Sequence, residues 1–301
     1  PRFRVAAETI RMVQAAASSG DFSVVVPAVD FTITCTYGTT TVEVNRFRSY
    51  VERLIAIPSG VNVNQITTGV VVQPDGMTRH VPTEVTQIGV VYYAKINSLT
   101  NSTYAVVWHP ITFADVAKHW AKASVNNMGS RMVVTGYDAD TYKPDADITR
   151  AEFAAIVVRA LGLAVGTGAS DFRDVNAADW YCGYIQTAAS YGLINGYGNG
   201  AFGPNDKITR EQAMVIIARA MELTDLKANL TDGEVSGTLA TYTDADAVSG
   251  YAKSGVAECV WAKVISGRTA ATVNPQEHIT RAEVAVVVER LLQNSGLIEM
   301  R

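Results

Sequence analysis

Cysteine is scarce in this chain: Cys35, Cys182 and Cys259 are the only three in 301 residues. They show neither metal-ligand spacing nor the density of a disulfide framework, so buried free thiols are expected. Basic charge is not in excess either. A formal charge of -4 and an isoelectric point near 5.6 exclude the broad basic footprint of a nucleic-acid binder. No apolar run reaches the roughly 18 residues of a membrane-crossing helix, so no span is expected. His80 and His109 stand far apart and no nucleophile motif surrounds the early serines, so the first hundred residues show no legible chemistry. The length leaves room for two domains, each able to bury a core.

What the chain does have is an internal repeat, which sets the architecture before any single residue is interpreted. Ile148-Thr149-Arg150-Ala151-Glu152 returns as Ile208-Thr209-Arg210-Glu211-Gln212 and as Ile279-Thr280-Arg281-Ala282-Glu283. Each Thr lies thirteen positions after a glycine (Gly136, Gly196, Gly267) and five after a proline (Pro144, Pro204, Pro275). Sixteen positions before each glycine stands Trp120, Trp180 or Tyr251, itself preceded by Phe113-Ala114-Asp115, Phe172-Arg173-Asp174 or Tyr242-Thr243-Asp244.

Each copy reads as helix, loop, helix. Tyr181, Ile185, Ala188 and Ala189 share one helical face that ends near Gly192. The stretch Gly196-Tyr197-Gly198-Asn199-Gly200-Ala201-Phe202-Gly203-Pro204 cannot be helical. After the Thr, Phe153, Ile156, Val157, Ala160 and Leu161 recur at three- and four-residue spacing. Ile216, Ile217 and Met221, then Val287, Val288 and Leu292, take the matching places, giving second helices with one buried stripe each. A single helical pair has too little apolar surface to fold alone, so three copies sharing one core are expected.

Within the repeated phrase, Thr149 with Glu152, Thr209 with Gln212 and Thr280 with Glu283 have the spacing of a capping box, worth roughly 0.5–2 kcal/mol for the cap. Capping does not ask for the arginine. A cation in the first helical turn opposes the helix dipole, yet Arg150, Arg210 and Arg281 occur in all three copies. Two readings stay open: an anion site made of guanidinium and helix-start N–H groups, or an ion pair with a neighbouring Asp115, Asp174 or Asp244.

These motifs, in order and at fixed spacing, resemble the S-layer homology domain in three tandem copies, over about residues 113–297. The resemblance implies an α+β multidomain chain. Residues 111–168, 169–230 and 239–301 would be a mainly α pseudo-threefold assembly around a central helical bundle, while residues 1–110, outside the resemblance, read from their own strand-rich runs as a β-rich, sandwich-like spacer, with a carbohydrate-binding module as the competing reading. The resemblance implies a non-catalytic cell-wall anchor on the outside of a bacterium, binding peptidoglycan-linked secondary cell wall polysaccharide in grooves between repeats. Pyruvylated N-acetylmannosamine ends are the implied ligand, with no cofactor and no metal. Self-association in a surface layer is an alternative that can coexist with anchoring, and a glycan hydrolase at the domain junction is a weaker one.

Carried over by position, Arg150, Arg210 and Arg281 would contact the ketal carboxylate, and Asp115, Asp174 and Asp244 would orient them or accept sugar hydroxyls. Trp120, Trp180 and Tyr251 would offer a flat face to a sugar ring, or else be core aromatics. Gly136, Gly196 and Gly267 would admit backbone close to ligand, or serve the helix-to-loop turn. The third loop, which has Arg268 where the others have tyrosine, marks the first groove expected to lose its ligand. Gln212 keeps the cap and is expected to remove a negative charge near Arg210. Asp138, Asp140, Asp145 and Asp147 do not follow the EF-hand spacing and read as a solvated acidic turn.

Before the repeats, runs at residues 22–26, 31–36, 66–72, 88–93 and 103–108 are rich in β-branched and aromatic residues and predict an antiparallel sandwich. Turns are expected at residues 73–76 and 97–101, and a short helix at residues 5–17. The sequence opens on Pro1 without a legible leader, which fits the C-terminal piece of a larger surface protein.

Overall fold

The computed structural model describes residues 7–73 and 77–300. The expected turn at residues 73–76 falls mostly outside them.

The N-terminal part is built of strands. One antiparallel sheet has the order β1 (Ser23–Asp30), β9 (Thr103–Trp108), β5 (Thr68–Val72), β6 (Thr78–Val81), and the other runs β4 (Arg46–Ala56), β8 (Val91–Thr100), β7 (Thr83–Ile88). Val71, Val81 and Val106 from the first sheet meet Ile55, Ala94 and Ile96 from the second in one apolar cluster, so the sheets face each other. On the outer face of the first sheet, helix α1 (Ala7–Ser19) places Val13 and Ala16 against Val70, Val72 and Val107. A hairpin of β2 (Thr34–Tyr37) and β3 (Thr40–Glu43) projects with every residue exposed. It carries Cys35 into solvent, contrary to the expected burial, whereas Cys182 and Cys259 are buried free thiols.

Two expected elements shift. The run at residues 88–93 is divided by a tight turn at Gly89, where φ is +63°. Asn97 to Thr100, expected as turn, continue β8, because Asn97 and Ser98 are buried and Asn97 Nδ2 donates to Leu297 O at 3.2 Å.

The remainder is helical. First helices α2 (Lys122–Ser130), α4 (Cys182–Ser190) and α7 (Lys253–Trp261) alternate with second helices α3 (Arg150–Ala160), α5 (Arg210–Leu223) and α8 (Arg281–Asn294). A further helix, α6 (Asp232–Leu239), has its own capping box from Thr231 and Glu234. α3, α5 and α8 are buried nearly all round, the mark of helices at the centre of a core. α3 packs on α4, α5 on α7 and α8 on α2, so each second helix leans on the first helix of the next copy, the third closing on the first.

Backbone bonds repeat that order. Ile208 N–H donates to Ile148 O, Ile279 N–H to Ile208 O and Ile148 N–H to Ile279 O, each at 3.2 Å, closing a ring. The strand-rich part docks firmly on the helical part: Tyr50 Oη donates to Leu161 O at 2.7 Å, and Arg131 donates to Thr83 O at 3.0 Å while pairing with Glu299 at 2.7 Å. His109 Nδ1 lies 2.8 Å from Ser130 O, which holds the connection. His80 is buried beside Arg79 and Arg131. Desolvation, then those two cations, push its pKa well below the ordinary value and keep it neutral.

Candidate functional site: grooves shared by three repeats

The three capping boxes form as expected, with Thr149, Thr209 and Thr280 each accepting from the N–H of Glu152, Gln212 or Glu283. The arginines just inside them are not on the surface. Arg150, Arg210 and Arg281 are 6%, 4% and 5% exposed. Each reaches into the next repeat. Arg150 Nε donates to Phe202 O at 2.9 Å, Arg210 Nε to Val273 O at 2.8 Å and Arg281 Nε to Tyr142 O at 2.9 Å. Their Nη2 atoms donate to Asn195 O, Ser266 O and Thr135 O on the same neighbouring loops. A buried guanidinium must have its donors satisfied, and carbonyls of a glycine-rich loop do so without adding a second charge.

The expected arginine–aspartate pairs do not form. Asp115 accepts from the N–H groups of Tyr142 and Lys143, Asp174 from Phe202 and Gly203, and Asp244 from Val273 and Asn274, so each clamps the loop of its own repeat. At Asp174 burial raises the pKa, but these backbone donors outweigh it and leave the carboxyl below its ordinary value. The carboxylates that do meet arginines are the capping glutamates: Glu283 Oε1 lies 2.8 Å from Arg210 Nη1, and Glu152 Oε1 lies 3.4 Å from Arg281 Nη1. Arg210 is therefore met by Glu283 rather than by Gln212, and the same cyclic order matches Gln212 to Arg150, one repeat away from the expected place.

Trp120, Trp180 and Tyr251 are 66%, 58% and 64% exposed, which rules out the core reading. Trp180 joins Gly136, Tyr137, Glu152 and Arg281 around a cavity of about 240 Å³. Trp120 joins Arg210, Gly267, Arg268 and Glu283 around one of about 770 Å³. The third loop, expected to lose its ligand first, therefore borders the larger opening. In the third position, the Arg150 guanidinium stacks on Tyr197 at 4.5 Å. Tyr251 stands close enough to feel its charge; burial, and then the bond to Glu211, push this phenol up to about 12. Both cavities thus take an arginine from one repeat, a loop and a capping residue from the next and an exposed aromatic from the third, and Arg150, Tyr197 and Tyr251 hold the matching places of a third position.

The glycines serve the loops themselves. A Cβ on Gly136 would lie 2.4 Å from Asp138 O, on Gly196 2.5 Å from Ala201 O and on Gly267 2.4 Å from Thr269 O, each also within 2.7 Å of the aromatic ring opening its repeat. Asp138 accepts from the N–H groups of Asp140 and Thr141, which is turn chemistry. Among the described residues, no three His, Cys, Asp or Glu side chains gather to hold a metal ion. No described helix is long and apolar enough to cross a membrane.

The profile of the S-layer homology domain matches residues 112–154, 171–214 and 241–285. The chain carries three S-layer homology domain repeats, one in each of these segments. S-layer homology domains are non-catalytic cell-surface anchoring modules, and their presence puts the chain outside the cell in association with the cell wall. It is 35% identical over 203 residues to the amylopullulanase of Thermoanaerobacterium thermosulfurigenes, which is 67% of this chain but 10% of that protein. The exoglucanase XynX of Acetivibrio thermocellus is 32% identical over 198 residues, 66% of this chain and 18% of that enzyme. The S-layer protein of Bacillus thuringiensis subsp. finitimus is 30% identical over 213 residues, 68% of this chain and 25% of that protein. The chain thus spans a quarter or less of these relatives.

Sequence reasoning missed two participants. Tyr137 and Tyr197 cover the guanidinium groups of Arg281 and Arg150, and their signal was the tyrosine following the loop glycine. The second oxygen of each capping glutamate had no signal, since its partner lies 73 or 129 positions away.

Proposed function

We propose that this chain anchors a larger protein to the cell wall by binding peptidoglycan-linked secondary cell wall polysaccharide in its inter-repeat grooves. Residues 111–168, 169–230 and 239–301 form the pseudo-threefold assembly around a central bundle of α3, α5 and α8, and residues 1–110 are a spacer docked on it. The observation that carries this reading is the composite groove. An exposed ring offers an apolar face to a sugar, and the adjoining arginine favours a carboxylate such as the ketal of pyruvylated N-acetylmannosamine. The likeness to enzymes over a small C-terminal-type module supports a parent that carries its activity elsewhere. The likeness to an S-layer protein favours self-association in a surface layer as a second, compatible reading.

The test is calorimetric titration with purified wall polysaccharide, native and stripped of pyruvate. It compares the wild-type chain with the Trp120→Ala, Trp180→Ala, Tyr251→Ala triple variant. These rings are exposed, so the fold should survive, whereas alanine at the buried arginines would unpick the repeats. Binding should weaken by about tenfold or more on pyruvate removal, and likewise in the variant, the scale of losing central anchor residues. Binding indifferent to both changes overturns the reading.

A further inference from the structure

We propose that Gln212 makes the Arg150 groove the anion-selecting one of the three; the proposal rests on the anchoring function above. The capping residue of each repeat has two head atoms and two tasks. In Glu283, Oε2 accepts the Thr280 N–H at 2.9 Å while Oε1 accepts from Arg210 Nη1 at 2.8 Å. In Glu152, Oε2 accepts the Thr149 N–H at 2.9 Å while Oε1 accepts from Arg281 Nη1 at 3.4 Å. Gln212 has a single oxygen, which accepts the Thr209 N–H at 3.3 Å. Its other head atom is an amide nitrogen, which donates and cannot serve an arginine.

Arg150 is left short of an acceptor. Its Nε and Nη2 are held by Phe202 O and Asn195 O, but Nη1 has no hydrogen-bond or ion-pair partner among the described residues. The side chain is only 6% exposed, yet Nη1 is not sealed from solvent. The nearby acids are engaged elsewhere. Asp206 and Asp174 act on its charge from a distance, but Asp206 accepts from Tyr197 Oη at 2.9 Å and Asp174 from the Phe202 and Gly203 N–H groups. Glu211 is taken by Ser249 and Tyr251. Two donor-bearing heads, one guanidinium and one amide, therefore lack an oxygen that the other two grooves supply internally. Because Nη1 is open to solvent, an external group can reach it, and a carboxylate oxygen is the acceptor that suits a cation best.

The Arg210 groove is the opposite case. There Glu283 binds both Arg210 and Arg268, and Arg268 also pairs with Glu277. An external carboxylate must displace that glutamate before it can reach the arginine. The Arg281 groove lies between, with Glu152 alone meeting Arg281 and with Arg159 also on its wall.

Gln212→Glu in the full chain tests this, titrated with wall polysaccharide in native and pyruvate-stripped form. Glutamate keeps the capping box, as Glu152 and Glu283 do, so melting temperature should hold or rise. The expected result is at least about tenfold weaker binding of the native polymer, with binding of the stripped polymer little changed. Undiminished binding of the native polymer by the variant, or an equal loss for both polymers, overturns the proposal while leaving the anchoring function standing. Wild-type chain that binds neither polymer overturns both.

Discussion

The loop of repeat two lays Tyr197 over the Arg150 guanidinium and ends at a capping glutamine, Gln212. The loop of repeat three has Arg268 at the matching place and ends at a capping glutamate, Glu283. Both hold an incoming arginine by two carbonyls, so the mechanical link between repeats is the same. The charge around it differs. Repeat two meets its arginine with the rings of Tyr197 and Phe202, whereas repeat three surrounds its own with carboxylates and a second cation. A repeat can therefore keep its structural role while its groove changes electrostatic character, because carbonyls do the holding and the capping residue sets the charge.

Removing the arginines tests that separation most severely. Arg210→Ala abandons two carbonyls and leaves Glu283 half of its ion pairing, with an expected cost of about 3–5 kcal/mol. Arg150→Ala loses two carbonyl bonds and the stacking on Tyr197 and Phe202 but no ion pair, with an expected cost of about 1.5–3 kcal/mol. Urea denaturation of both variants gives the comparison, and equal losses would mean the Glu283 pair contributes nothing.

Acid separates the repeats at intermediate cost. Burial tends to raise the Glu283 pKa, but hydrogen bonds from Arg268 and the Thr280 N–H, with the charges of Arg210 and Arg268, outweigh it and hold it below the ordinary 4.5. A depressed folded value stabilises the fold above the unfolded pKa, and that contribution is lost as pH falls through the folded value. Melting temperature should therefore drop below about pH 4.5 in the wild type and fall less steeply in Glu283→Gln. Parallel curves for the two proteins would remove Glu283 from the account.

The smallest effect concerns the turn after each first helix. Repeat two has Gly192 there at φ +69°, while repeat three has Lys263 at φ +57°. A side chain in this left-handed conformation costs about 1–2 kcal/mol, partly offset by the greater freedom glycine has when unfolded. Lys263→Gly should thus stabilise by about 0.5–1 kcal/mol, read as a small rise in melting temperature. A fall would show that Lys263 makes compensating contacts.

Much of the helical half was legible because its signals are local. The thirteen-residue register, the capping boxes and the apolar stripes of α3, α5 and α8 involve residues within one copy. The Thr231–Glu234 box of α6 is an equally local signal, although it lies outside the repeat. Strand-rich runs indicated a sandwich, but the long β4, which includes the buried Arg53, has no clean alternation to mark it. Asn97 and Ser98 looked like a turn because their polarity answers to a docking surface rather than to solvent.

The sequence by itself determined the number of repeats, the helix starts, the identity of the capping residues and the presence of an arginine in every copy. These depend on backbone propensity and on hydrogen bonds spanning three or four residues. Only the tertiary structure decided that each arginine serves the next repeat, that the aspartates clamp loops and that the tryptophans stand in the open. Those outcomes follow from the closed ring of Ile148, Ile208 and Ile279, which brings residues dozens of positions apart within bonding distance. Glu283 shows the boundary between the two: its capping of Thr280 is local, but its ion pair falls on Arg210, because that is the arginine the ring brings to it.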